Sequence, residues 1–132
     1  MKKTVTFIIA HEDFSSALLQ TVEKIIGPQE NVFTFSNAHD SLLVLARKIR
    51  DHIQEQKPEH IVIFVDLKGG SCWNLANLLR QEFPKLEVIS GINVAMMISY
   101  FTYRDELSFE ELIKKVIQDG TQGITCFEVS TG

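Results

Sequence analysis

The chain predicts an α/β fold: a doubly wound, mainly parallel sheet with helices on both faces. Three observations lead there. Short apolar runs alternate with segments whose apolar residues recur at helical spacing. The run Ile61–Val65 is apolar at every position, as a parallel strand covered on both faces must be. Right-handed crossovers between successive strands then give the order 2-1-3-4.

The first strand is Thr4–Ala10, and Phe14, Leu18, Val22 and Ile25 mark the helix after it, stopped by Gly27-Pro28. Asn31–Phe35 is a short second strand. Leu42, Leu45, Ala46, Ile49 and Ile53 define the second helix, with Asp40 as its N-cap and Pro58 beyond its end. Strand three is Ile61–Val65. The third helix starts near Ser71, with Ser71 as N-cap, and buries Trp73, Ala76, Leu79 and Phe83 before Pro84. Strand four is Leu86–Ile89, and an apolar helix spans Val94–Phe101. Ser108-Phe109-Glu110-Glu111 is a capping box for the last helix, which Gly120 closes, and Ile124–Val129 is a terminal strand.

With 132 residues and no Pro/Gly-rich linker, residues 1–132 read as a single domain. A net charge of −4 gives no general attraction to nucleic acid or anionic lipid. Cys72 and Cys126 fit no metal spacing and read as two buried thiols of a reducing compartment. Met1-Lys2-Lys3 precedes an apolar run too short for a signal peptide, and a cytoplasmic location is expected.

The order 2-1-3-4 sets strands one and three side by side where the winding reverses, and ligands bind outside the carboxyl ends of such a pair. His11 and Asp66 end those two strands. A histidine that takes up phosphate attacks through one ring nitrogen while the other keeps its proton. A carboxylate accepting that proton fixes the tautomer and orientation of the ring. Gly69-Gly70 allows a tight turn, and Ser71 at the helix start offers a hydroxyl beside free N–H groups that favour anions. Each feature alone is commonplace: a capping serine, a glycine turn, a histidine at a strand end. Their convergence at a switch point favours phosphoryl transfer. His39, His52 and His60 read as solvated.

At these residues the chain resembles the IIA domain of the mannose class of the bacterial phosphoenolpyruvate-dependent sugar phosphotransferase system. The resemblance rests on Ile8-Ile9-Ala10-His11, on Gly27-Pro28-Gln29-Glu30-Asn31-Val32, on Val65-Asp66 through Ser71 with Asn74, and on Gly91 through Met96. It implies that His11 accepts a phosphoryl group from the histidine phosphocarrier HPr and passes it to a IIB domain. That domain serves sugar uptake through a membrane permease. It also implies that Asp66 bonds the acceptor ring, that Ser71 lies at the phosphate site with Gly69 and Gly70, and that Ser36 borders the same pocket. A homodimer exchanging an antiparallel C-terminal strand is implied too, with no metal, no organic cofactor and no nucleic acid.

Three departures from the family pattern stand out. Glu12 follows the histidine where glycine is usual, Cys72-Trp73 replaces Pro-Phe, and Ala95 replaces a proline. A carboxylate ~6 Å from the phosphoryl group would oppose it by roughly 3 kcal/mol at an effective dielectric of ~20, unless it points to solvent. Two other readings compete: a non-catalytic regulatory relative, and a receiver-like signalling domain phosphorylated on Asp66. The second lacks the lysine that receivers carry after their fifth strand.

Overall fold

The structure is a computed structural model that describes residues 3–127. Four strands, β1 (Thr4–Ala10), β2 (Val32–Ser36), β3 (His60–Val65) and β4 (Leu86–Ile89), form one sheet in the order β2-β1-β3-β4. Every pairing is parallel, so the predicted class and order hold. The register sets Ile9 beside Val65 and Ala10 beside Ser36. Three strands therefore finish at nearly the same level.

The chain divides at Ile92 and Asn93 into two compact units. The first holds the sheet with α1 (Phe14–Ile26), α2 (Leu42–Gln56) and α3 (Ser71–Glu82). Val5, Phe7 and Ile9 of β1 and Ile61, Ile63 and Val65 of β3 share one face of the sheet. There they meet Leu45 and Ile49 of α2 and Leu75 and Leu79 of α3 in a single core. Ile8, Val62 and Phe64 on the alternate face are also fully buried. Burying each such side chain stabilises the fold by about 1.5–3 kcal/mol. The strands are thereby pinned in one register, because a one-residue slip would exchange the two faces.

The second unit holds α4 (Val94–Tyr103) and α5 (Phe109–Gln122). Asn93 caps α4 by accepting the Met96 N–H at 2.9 Å and donates its amide to the Gly120 carbonyl at 3.1 Å. Ser108 is the N-cap of α5 as predicted, and Glu111 is bonded to its hydroxyl. Ser108 Oγ accepts the Glu111 N–H at 3.3 Å and donates to Glu111 Oε1 at 2.9 Å.

Several expectations are corrected. The N-cap of α2 is Ser41, whose hydroxyl accepts the Val44 N–H at 3.2 Å, while the Asp40 carboxylate is taken up by Lys48 at 2.7 Å. Gly70 is the N-cap of α3, and Ser71 is its first residue. Gly120 does not close α5: the helix runs on to Gln122, with Gly123 as C-cap and Gly120 buried within it. Phe14 and Ile25 are exposed rather than buried on α1, and Trp73 and Phe83 are only half-buried against the core. His52 is half-buried rather than fully solvated: its ring centroid lies 4.1 Å from that of Phe33, the two rings tilted by 36°, and it stands edge-on to Phe7 and Phe35. His60 opens β3 and is half-buried, whereas His39 is exposed as expected. Cys72 is buried but Cys126 is exposed. Of the predicted terminal strand, residues 124–127 form no strand, and Glu128 and Val129 lie outside the described residues. Among the described residues, no helix is long and apolar enough to cross a membrane.

Candidate functional site

The parallel register carries Asp66, one residue past β3, to the level of Ala10, one residue before His11. The chain turns sharply after His11 because Glu12 adopts a left-handed conformation, φ 48°, and Asp13 then occupies the N-cap position of α1 without a capping bond from its side chain. On the Asp66 side, Gly69 has φ 86°, a conformation that favours glycine, and it leads into α3. Two strand ends and one helix start are therefore directed at the same edge of the sheet.

Asp66 Oδ2 holds His11 twice. It accepts the His11 backbone N–H at 3.0 Å and lies 2.8 Å from His11 Nδ1. An ionised carboxylate can only accept, so Nδ1 carries the proton in this bond. The other ring nitrogen, Nε2, is left unprotonated in the neutral ring, with its lone pair available. The His11 side chain is 45% exposed and that of Asp66 18%. The ring is therefore open to a partner while its anchor is sheltered.

Burial raises the Asp66 pKa, but the backbone and side-chain hydrogen bonds from His11 and its charge outweigh that. The carboxyl lies below the usual aspartate range as a result. Asp66 Oδ1 is buried and has no hydrogen-bond partner among the described residues. Burial, followed by the negative charge of Asp66, pushes the Cys72 thiol up, against a smaller opposing effect of its hydrogen bond with Ser71.

The remaining predicted residues sit around this pair. The Gly70 backbone flanks the imidazole: a Cβ added there would lie 3.6 Å from His11 Cε1. Ser71 begins α3, where the first N–H groups have no carbonyl within the helix to bond. Ser36 is the last residue of β2 rather than part of the following loop, and its hydroxyl accepts the Ala38 N–H at 3.0 Å. Glu12 is exposed, so the predicted repulsion is weakened by solvent.

Two further neighbours lie at this edge: Asn37, which the sequence does not single out, and Cys72, which reads there only as a buried thiol and a departure from the family pattern. Asn37 donates its amide to Ser71 Oγ at 3.3 Å, and its backbone N–H to the Ala10 carbonyl at 3.2 Å. It thereby ties the start of α3 to the end of β1. Cys72 lies close by, and ligand atoms of His11, Asp66 and Cys72 are all within 4.8 Å of one another. The order 2-1-3-4 was enough to bring the loop after β2 to this edge, but no motif marks Asn37 within it.

A model of the family EIIA-man, described as the PTS system fructose IIA component, matches residues 6–117. The chain is 31% identical over 108 residues to the PTS system sorbose-specific EIIA component of Klebsiella pneumoniae, covering 78% of this chain and 76% of that one. It is 27% identical over 125 residues to the PTS system mannose-specific EIIAB component of Escherichia coli (strain K12). That match covers 92% of this chain but spans only 39% of the relative's length. Among solved structures, the phosphotransferase system component EIIA from Streptococcus agalactiae superposes with a TM-score of 0.86 at 26% identity, covering 94% of this chain and 97% of that one. The mannose/sorbose specific IIA subunit from Enterococcus faecalis shares the fold, with a TM-score of 0.81 at 23% identity over 100% of this chain and 99% of that one.

Proposed function

The chain belongs to the family of PTS fructose IIA components, and on that premise we propose that it is a phosphotransferase acting as a phosphohistidine relay. His11 accepts a phosphoryl group from the phosphocarrier HPr and passes it to a IIB domain that serves a membrane sugar permease. Residues 1–132 act as one IIA-type domain, in the cytoplasm, as a homodimer built on the C-terminal segment. The exposure of Ile124 and Phe127 supports that last assignment.

In the forward step His11 Nε2 attacks the phosphorus of the donor phosphohistidine. The new N–P bond forms as the donor N–P bond breaks, and the donor ring keeps its electron pair. Nδ1 retains its proton throughout and donates a hydrogen bond through it to Asp66. Positive charge develops on the imidazole ring as Nε2 bonds to phosphorus, and the adjacent carboxylate stabilises it. The phosphoryl oxygens are received by the free N–H groups at the start of α3 and by the Ser71 hydroxyl. Gly69 and Gly70 shape the approach, and Ser36 holds the neighbouring turn. A helix N-terminus stabilises an anion by about 0.3–1 kcal/mol, and by up to ~2 in partly buried geometry. The chemistry needs little beyond positioning and charge stabilisation.

The observation that carries this reading is the 2.8 Å contact between His11 Nδ1 and Asp66 Oδ2 on a ring 45% exposed. The test is incubation with labelled phospho-HPr, followed by scoring the linkage. An acid-labile, alkali-stable label that disappears in His11→Ala is expected. An alkali-labile label would place an acyl phosphate on Asp66 and replace the relay with the receiver reading. No label at all would leave a regulatory relative.

A further inference from the structure

The relay accounts for His11, Asp66 and the start of α3, but it has no use for a buried thiol beside them. Cys72 is fully buried on the second residue of α3. Its sulfur, a nitrogen of His11 and an oxygen of Asp66 all lie within 4.8 Å of one another. Thiolate, imidazole and carboxylate from three separate chain segments form a donor set suited to a borderline-soft divalent cation such as Zn²⁺.

A second observation points the same way. Asp66 Oδ1 is buried without a hydrogen-bond partner among the described residues, although buried carboxylate oxygens are normally satisfied. The cluster also has an entry path, because the His11 side chain is 45% exposed. Ligand atoms around tetrahedral zinc stand about 3.3–3.8 Å apart, as bonds of about 2.0–2.3 Å require. At its widest the cluster therefore needs to contract by about 1–1.5 Å, and the 2.8 Å contact of His11 Nδ1 with Asp66 Oδ2 must open by about 0.5 Å if those two atoms ligate, changes within reach of side-chain rotation at His11 and Cys72.

We propose that His11, Asp66 and Cys72 form a three-ligand site for a zinc-class divalent cation, with solvent completing the fourth position. As the Zn–S bond forms, the thiol proton leaves to the buffer, and nothing is oxidised or reduced. A cation held here excludes phosphorylation whichever ring nitrogen ligates it. Ligation through Nδ1 displaces the proton shared with Asp66, and ligation through Nε2 occupies the attacking nitrogen. The binding site stands on its own geometry; the competition with phosphate rests on the proposed relay.

The test uses Co²⁺ as a spectroscopic stand-in, on the full chain carrying Cys126→Ser so that the exposed thiol cannot contribute. A thiolate-to-cobalt charge-transfer band saturating at one equivalent is expected, with Zn²⁺ displacing the cobalt. Cys72→Ser removes the band, and Asp66→Asn weakens Zn²⁺ binding by more than the 10–100-fold typical of an outer-shell partner. No band, or a band that survives Cys72→Ser, overturns the site. In a second arm, labelling by phospho-HPr is compared with and without equimolar Zn²⁺ within each variant. Zinc is expected to suppress labelling in the Cys126→Ser protein and not in the Cys72→Ser, Cys126→Ser double variant. Equal suppression in both overturns the competition. A cobalt band in a protein that never labels would leave the metal site standing while the relay fell.

Discussion

Asp66 Oδ2 accepts two hydrogen bonds from one residue, the backbone N–H of His11 at 3.0 Å and its Nδ1–H at 2.8 Å. The first fixes where the His11 backbone stands, and the second fixes how its ring is turned. One oxygen thus sets both the position of His11 and its tautomer, and in the proposed relay the Nε2 lone pair is the one that meets phosphorus.

Replacing that oxygen tests both roles. Asp66→Asn is expected to slow phosphorylation of His11 by about 10²-fold or more, within the range that a positioned acid–base partner supplies. A variant that accepted phosphate at the wild-type rate would remove the tautomer argument.

The same substitution should change the response to acid. The Asp66 carboxyl is depressed below the usual aspartate value of about 3.9 because it is bonded to His11 in the folded state. A depressed carboxyl contributes stability that is present above the unfolded value and is lost as pH falls through the folded one. Glu82 and Asp119 are depressed as well, so the readout is a difference. Urea midpoints measured from pH 6 down to pH 2 should fall more steeply below about pH 4 for the wild type than for Asp66→Asn. Parallel curves would mean that the contact contributes nothing to folding.

Much of this arrangement was legible because strand termini carry it. Apolar runs ending on His11 and Asp66, together with right-handed crossovers, were enough to bring the two residues together. What escaped depends on contacts that no local pattern encodes. His52 sits on a polar-looking stretch of α2, yet its ring fills the space over Phe33. Asn37 acquires its link to Ser71 only once the loop after β2 is folded beside β1. Cap identity was misjudged by one residue at two helices, because Asp40 and Ser41 are both good caps by type, and so are Gly70 and Ser71. Backbone geometry, not residue type, chose between them.

The cap assignment at α2 gives a direct comparison. Ser41→Ala removes the hydroxyl that accepts the Val44 N–H and is expected to cost about 1 kcal/mol. Asp40→Ala removes only a partly exposed ion pair with Lys48, worth about 0–1 kcal/mol. Chemical denaturation of the two variants side by side should rank Ser41→Ala as the less stable, and the reverse order would return the cap to Asp40.

Glu12 occupies the left-handed region with φ 48°, at the position where the family pattern usually has glycine. That conformation costs a side-chain-bearing residue roughly 1–2 kcal/mol, and the extra chain entropy of glycine offsets roughly 0.5–1 of it. Glu12→Gly should therefore stabilise the protein by up to about 1.5 kcal/mol, seen as a higher urea midpoint. A lower midpoint would mean that the Glu12 side chain makes a compensating contact.

The sign of the glycine effect should be opposite at Gly120. An alanine inside a helix ordinarily gains about 1 kcal/mol over glycine, and Gly120 lies inside α5 without a positive φ. A Cβ there would meet Met96 Cβ at 2.9 Å and Met96 Cε at 2.9 Å. The thioether end is flexible and can turn away, but Met96 Cβ is fixed by the α4 backbone. That backbone is in turn held to Gly120 by the bond from Asn93 Nδ2 to its carbonyl. Relief thus requires α4 and α5 to separate, and forced overpacking of this kind costs about 1–3 kcal/mol. Steric cost exceeds propensity gain, so Gly120→Ala should lower the thermal midpoint despite its better helix former. A raised midpoint would show that the two helices part without loss, and that glycine here does not set their approach.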